Sequence, residues 1–211
     1  FLILSTLIAG LLLLDKYLSF YDGLILLTLL ILFLFYVFKQ SKKDSLNGVD
    51  DVDSKINNKE KGKTWLLLIV SLLILISSAK LVVWGGTVLA STFGVPELII
   101  GLTVVALGTS LPELAVSISS ALKKQHEMVI GNIIGSNLFN ILAVLAIPGL
   151  ISPGAVDASA IDRDFYMVLA TSIALAVLVL SSGAKQQLTR WHGILLLLTF
   201  IAYQYVVFTA H

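Results

Sequence analysis

Residues 106–114, Ala-Leu-Gly-Thr-Ser-Leu-Pro-Glu-Leu, set a carboxylate, two hydroxyls, a glycine and a proline inside an otherwise apolar run. At helical spacing Ala106, Thr109, Ser110 and Glu113 stand at i, i+3, i+4 and i+7, on one face. Pro112 has no N–H to offer the carbonyl of Gly108, and its ring crowds the same turn, so carbonyl oxygens near Ala106 to Gly108 are expected to be released beside the carboxylate. Hydroxyl, carboxylate and carbonyl oxygens together are the ligand chemistry of Ca²⁺ and other hard cations. Taken singly, Ser, Thr, Gly and Pro are ordinary back-bonding, packing and kink residues of membrane helices. Glu113 is different: a carboxylate at mid-bilayer costs about 2.5 kcal/mol or more on insertion scales, so it marks an ion, proton or substrate path.

The next apolar run repeats the theme in Gly-Asn-Ile-Ile-Gly-Ser-Asn-Leu-Phe-Asn, residues 131–140. Asn132, Ser136 and Asn140 fall at i, i+4 and i+8 and share a face. Gly131 and Gly135 form a G-x-x-x-G pair that lets another helix backbone come close, which would bring two polar faces together. Asn132, Asn137 and Asn140 suit either of two roles, oxygen ligand or hydrogen-bonding glue between helices, and its facing favours Asn140 as a ligand. Glu97 follows Phe-Gly-Val-Pro at a helix start and reads as an interfacial first-turn carboxylate. His126, in a tight connector, and His192, at a helix start, read as interfacial rather than catalytic. The polar run Asn-Gly-Val-Asp-Asp-Val-Asp-Ser-Lys-Ile-Asn-Asn lacks the glycine spacing and terminal glutamate of a calcium loop.

The elements that must carry these residues are membrane helices. The chain has 211 residues, 57% of them hydrophobic and 13% charged, with a mean hydropathy of +0.97, which places it outside the range of soluble domains and makes it an all-α, polytopic transmembrane helix bundle. Stretches at 1–14, 21–38, 65–91, 97–122, 128–150, 164–181 and 190–208 approach or meet the roughly 20 residues a bilayer requires. The one long connector, 39–64, is rich in Lys, Asp, Asn and Ser and reads as a flexible linker. Placing it in the cytoplasm puts Lys39, Lys42, Lys43, Lys55, Lys59, Lys61, Lys63, Lys123, Lys124, Lys185 and Arg190 inside and leaves Lys16 and Arg163 outside, as the positive-inside rule requires. Lys80 falls within the third stretch, towards its outer end, where its stem would snorkel. The absence of cysteine excludes disulfides, thiolate metal sites and cysteine catalysis, and the lysines are not set among aromatics as in a nucleic-acid interface. The opening Phe-Leu-Ile-Leu-Ser-Thr has no basic n-region and reads as the tail of a truncated helix rather than a secretory signal.

Residues 101–142, GLTVVALGTSLPELAVSISSALKKQHEMVIGNIIGSNLFNIL, resemble one α-repeat of the sodium/calcium exchanger family, in the cation/calcium exchanger superfamily. The combination of G-T-S-x-P-E-L with G-N-x-x-G-S-N-x-F-N at this separation is highly specific. The resemblance implies ten helices in two inverted repeats of five, with ions bound midway through the membrane. It implies that residues 1–38 are the last helices of a preceding half, 39–64 a cytoplasmic linker, and 65–211 a five-helix membrane domain with its α-repeat at about 98–142. The implied cation ligands are the carbonyl of Ala106 with Thr109, Ser110, Glu113, Ser136 and Asn140, Glu113 being central. Gly108, Pro112, Gly131 and Gly135 are the implied kink and packing positions, and the long helix at 65–91 the implied sliding gate. No cofactor is implied; the transported ions are Ca²⁺ and Na⁺, with H⁺ as the alternative counter-ion.

Two departures from the family pattern accompany this. Some members carry Asp where Asn140 stands, so the site here has less negative charge. A complete member has two copies of G-T-S-x-P-E-L and this chain has one, so the chain reads as the C-terminal portion of an exchanger. Its partners are then the lipid bilayer and a first half, or a second copy in inverted orientation, against which the lysine bias argues. The expected location is a prokaryotic plasma (inner) membrane. The other classes weighed are a non-transporting scaffold and an intramembrane serine hydrolase, since Gly108-Thr109-Ser110 has a G-x-S look; the latter needs a base beside Ser110, and no histidine falls at the middle of a predicted helix.

Overall fold

A computed structural model describes residues 1–46, 58–158, 160–181 and 189–209. The centre of the long connector, with Lys55, and the connector residue Lys185 lie outside the described residues. The helices are α1 (Leu2–Leu12), α2 (Phe20–Leu46), α3 (Asn58–Thr92), α4 (Glu97–Ile100), α5 (Ala106–Thr109), α6 (Leu111–Leu122), α7 (His126–Phe139), α8 (Ala146–Ile151), α9 (Tyr166–Ser181) and α10 (Arg190–Thr209). Wider π-helical turns at Gly101–Val105, Asn140–Val144 and Ala160–Phe165 join α4 to α5, α7 to α8, and lead into α9.

Five of the resulting spans are long and apolar enough to cross a membrane: Phe20–Lys42, Gly62–Thr92, His126–Ile151, Ile161–Ser181 and Arg190–Thr209. A sixth is the bent pair Gly101–Thr109 and Leu111–Leu122. The first of the seven expected stretches forms only the 11-residue α1, at ~1.5 Å per residue too short to span a bilayer alone. Both flanks of the connector expected at 39–64 are helical, since α2 runs on to Leu46 and α3 begins at Asn58. Gln, Lys and Glu in these flanks are good helix formers, and propensity extends each helix beyond its apolar part.

Contacts divide the chain into two compact units. The first comprises Phe1–Asn47 and Gln125–His192, so α7 to α9, from within the expected five-helix segment 65–211, pack with α1 and α2. Its core is Leu26, Leu138, Leu142 and Ala146, joined by Leu2, Ala9 and Leu175. Helices α2 and α8 cross through facing glycines: a side chain at Gly23 would lie 2.8 Å from the carbonyl of Ala146, and one at Gly149 would lie 3.0 Å from the carbonyl of Ser19. Small residues let these backbones approach, the usual means of helix packing in lipid. A capping box starts α2. Ser19 Oγ accepts from the Asp22 N–H at 3.2 Å, while Asp22 Oδ2 accepts from the Ser19 N–H at 2.8 Å, satisfying donors the helix leaves open. One element departs from the all-helical expectation, a two-residue antiparallel ladder of β1 (Tyr17–Leu18) with β2 (Gly154–Ala155). It is continued by the Val156 N–H on the Lys16 carbonyl at 2.9 Å.

The second unit comprises Gly48–Lys124 and Gly193–His211. Here α3 ends at Gly94, whose φ of +74° is the left-handed conformation that glycine adopts without strain. The next N–H, of Val95, reaches back to the Ala90 carbonyl at 3.1 Å. This turn folds the chain back so that α4, the first π turn, α5 and α6 all pack against α3. The crossing is built on two glycines. A side chain at Gly86 would meet Val104, and one at Gly108 would meet Val83.

A broken, carboxylate-bearing span as the candidate functional site

The span carrying Glu113 is interrupted where Pro112 predicts it. The helix breaks at Ser110 (φ −89°, ψ −2°), and its two halves are bent by 45°. Pro112 stands in the first turn of α6, where a missing N–H costs nothing. The Ser110 N–H closes a tight turn on the Leu107 carbonyl at 3.1 Å, and the Leu114 N–H on Ser110 O at 3.0 Å restarts the helix. The break divides the expected polar face: Ala106 opens and Thr109 closes α5, Ser110 is the joint, and Glu113 sits in the first turn of α6.

Not all the released oxygens are idle. Thr109 Oγ1 donates to the carbonyls of Val105 at 3.0 Å and Ala106 at 3.1 Å. Spending its proton this way leaves the hydroxyl's lone pairs as acceptors, the form in which a cation would use them. Glu113 is half-buried, and its Oε2 is closed off from solvent. Among the described residues no three His, Cys, Asp or Glu side chains group as metal ligands. One carboxylate together with hydroxyl and carbonyl oxygens is a hard, weakly charged ligand set.

Lys80, expected to snorkel from α3, lines a cavity of about 400 Å³ with Gly108, Thr109 and Pro112, closed on the α3 side by Ile76, Ala79, Val83 and Trp84. The sequence signal for this was weak, because helical periodicity places Lys80 on α3 without saying which helix it faces. Gln204 escaped sequence reasoning altogether. It stands between two tyrosines in the otherwise apolar second half of α10, and its Nε2 donates to the Leu102 carbonyl at 3.5 Å. A lone amide in an apolar span was the signal available for it.

Ser136 and Asn140 belong to the other unit. Ser136 Oγ donates to the Ile133 carbonyl at 3.1 Å, and the side chain of Asn137 donates to the same carbonyl at 2.8 Å, so Asn137 is bonded within its own helix. Asn140 opens the second π turn and is exposed. A side chain at Gly131 or Gly135 would meet nothing within 4 Å among the described residues, and the buried residues of α7 are Ile130 and Leu138. The close helix contacts use Gly23, Gly149, Gly86 and Gly108 instead.

The remaining candidates fall at helix starts. Glu97 opens α4 and is exposed. His126 opens α7, and His192 Nδ1 accepts from the Thr189 N–H at 3.3 Å before α10. Among the described residues of the unit that holds Ser110 there is no histidine to pair with it.

Apolar spans with, among the described residues, one broken helix that carries a carboxylate at the break define a polytopic membrane protein of the broken-helix type. The family model for the sodium/calcium exchanger protein matches residues 63–209, and the chain belongs to this family. It is 39% identical over 212 residues to CaxA of Alkalimonas amylolytica, covering 99% of this chain and 66% of that relative. It is 38% identical over 182 residues to the inner membrane protein YrbG of Escherichia coli, covering 84% of this chain and 56% of YrbG. The fold is that of the sodium-calcium exchanger NCX_Mj in crystals soaked with Na⁺ and Ca²⁺, with a TM-score of 0.75 and 28% identity over 100% of this chain and 63% of that one. The chain thus spans less than two thirds of the length of each of these proteins.

Proposed function

We propose that this chain is one repeat-bearing part of a secondary antiporter that exchanges Ca²⁺ for Na⁺ by alternating access. The observation that carries the reading is Glu113 at the break of a bent span, within a chain of the sodium/calcium exchanger family. Chemistry supports it: a carboxylate kept at membrane depth is costly unless it serves a cation or proton path, and the hydroxyl-bearing Thr109 and Ser110 stand at the break, four and three residues before Glu113. Ala106 through its carbonyl, Thr109, Ser110 and Glu113 are proposed as cation ligands, with Glu113 shared between Ca²⁺ and the counter-ion. Ser136 and Asn140 are proposed as ligands on the motif G-N-x-x-G-S-N-x-F-N alone. A second copy of G-T-S-x-P-E-L, in the part of the exchanger that the relatives have beyond this chain's length, would supply the other glutamate. A prokaryotic inner membrane, with 39–64 on the cytoplasmic side, fits the lysine distribution and the likeness to YrbG.

The test is ⁴⁵Ca²⁺ flux into vesicles containing the exchanger with both repeats, driven by an imposed Na⁺ or H⁺ gradient. Uptake driven by Na⁺ and lost in Glu113→Gln is the expected result. Uptake driven by H⁺ alone would make the protein a Ca²⁺/H⁺ antiporter, and full exchange by Glu113→Gln would remove the site assignment.

A further inference from the structure

We propose that Gln204 is a positioning residue for the face Ala106–Glu113: its amide, on α10, holds the π turn Gly101–Val105 through the carbonyl of Leu102. The inference rests on the reading of that face as the ion site. In an uninterrupted α-helix the Ala106 N–H would bond the Leu102 carbonyl. Here it bonds the carbonyls of Gly101 and Thr103, and the Gln204 Nε2 donates to the carbonyl it has left, at 3.5 Å and across 102 residues of sequence. Each π turn carries one residue more than α-helical spacing allows. Gaining or losing that residue rotates everything beyond it by roughly 100° about the helix axis, the α-helical angle per residue. The register of this turn therefore sets the direction in which Ala106 and Thr109 face.

The cost of Gln204 supports the role. Its Oε1 is buried and, among the described residues, has no hydrogen-bond partner, an unfavourable state for a buried acceptor. In apolar surroundings a leucine would be the more stabilising residue at 204. The donor half of the amide is what compensates, and its acceptor is the carbonyl displaced by the π turn.

The test compares wild type, Gln204→Leu and Gln204→Glu in the exchanger with both repeats, by amide hydrogen exchange and by transport. Gln204→Leu is expected to speed exchange about tenfold in the segment 101–110, with α3 and the rest of α10 unchanged. It should raise the KM for Ca²⁺ severalfold while kcat stays within about twofold. A carboxyl donates a hydrogen bond only when protonated, so Gln204→Glu should resemble wild type at low pH and Gln204→Leu at high pH. Unchanged exchange at 101–110 in Gln204→Leu overturns the inference, and so does faster exchange spread evenly through α3 and α10, the mark of a residue that only packs. Should Gln204→Leu fail to fold, the pH profile of Gln204→Glu decides in its place, a flat profile refuting the inference. Absence of Ca²⁺ transport by the wild type would remove the transport reading while the hydrogen exchange still decides the role of Gln204.

Discussion

Gly108→Ala is a stringent test of how the broken span is held. A methyl group at Gly108 would run into Cγ2 of Val83, and the Cβ and Cα of Val83 lie only 3.4 and 3.6 Å away. Valine in a helix has essentially one χ1 rotamer, so the clash is not relieved by turning the side chain and the helices must part. Overpacking of this kind costs about 1–3 kcal/mol, against a helix-propensity gain of ~1 kcal/mol for Gly→Ala. The natural control is Gly85→Ala, on α3 one residue before the close-packed Gly86, where an added side chain meets nothing within 4 Å among the described residues. Propensity is common to both substitutions and cancels, leaving Gly108→Ala about 1–3 kcal/mol less stable than Gly85→Ala. The assay is denaturant unfolding in detergent micelles, extended to Val83→Ala and the double variant Gly108→Ala/Val83→Ala. Removing Cγ2 should restore much of the loss as a coupling between the two sites. Equal stability of the two alanine variants within ~0.5 kcal/mol, or strict additivity in the double variant, would refute the packing account.

Two further outcomes follow from the structure. Ser19→Ala removes one side of the capping box that starts α2 and should cost about 1 kcal/mol, read as a lowered Tm in the same micelles; an unchanged Tm would mean that Asp22 caps the helix alone. Lys80→Gln removes a positive charge from a residue that lines the same cavity as Thr109, so on the proposed function the KM of the exchanger for Ca²⁺ should fall a few-fold at low salt, an effect of ~1 kcal/mol or less, and the difference from wild type should shrink as salt rises. A KM unchanged at every ionic strength would show that Lys80 does not act on the cation path.

The broken span was legible from residue type alone. Pro112 announced a break, and the structure breaks two residues before it, at Ser110; Glu113 stood out in the sequence because an intramembrane carboxylate is costly wherever it sits. The family motif carried further than any single residue, since it named a membrane fold that the overall structure bears out. Other features were not legible. Gly131 and Gly135 have the spacing of a packing pair, but spacing says only that a groove exists, and the close backbone approach between α2 and α8 is made at Gly23 and Gly149, far apart in sequence. Asn137 was open to two roles, and its side-chain N–H bonds its own Ile133 carbonyl, a local option that every Asn in a helix has.

The membrane class, the spans and the place of the break come from local chemistry: apolar run length, a proline without an N–H, and a carboxylate that must be paid for. Local chemistry is written along the chain, so reading the chain recovers it. Which glycines meet a neighbour, which cavity Lys80 lines, and that an amide in α10 reaches the carbonyl displaced by a π turn depend on side chains distant in sequence. Those contacts exist only once the helices have packed, and periodicity along one helix carries no record of what faces it.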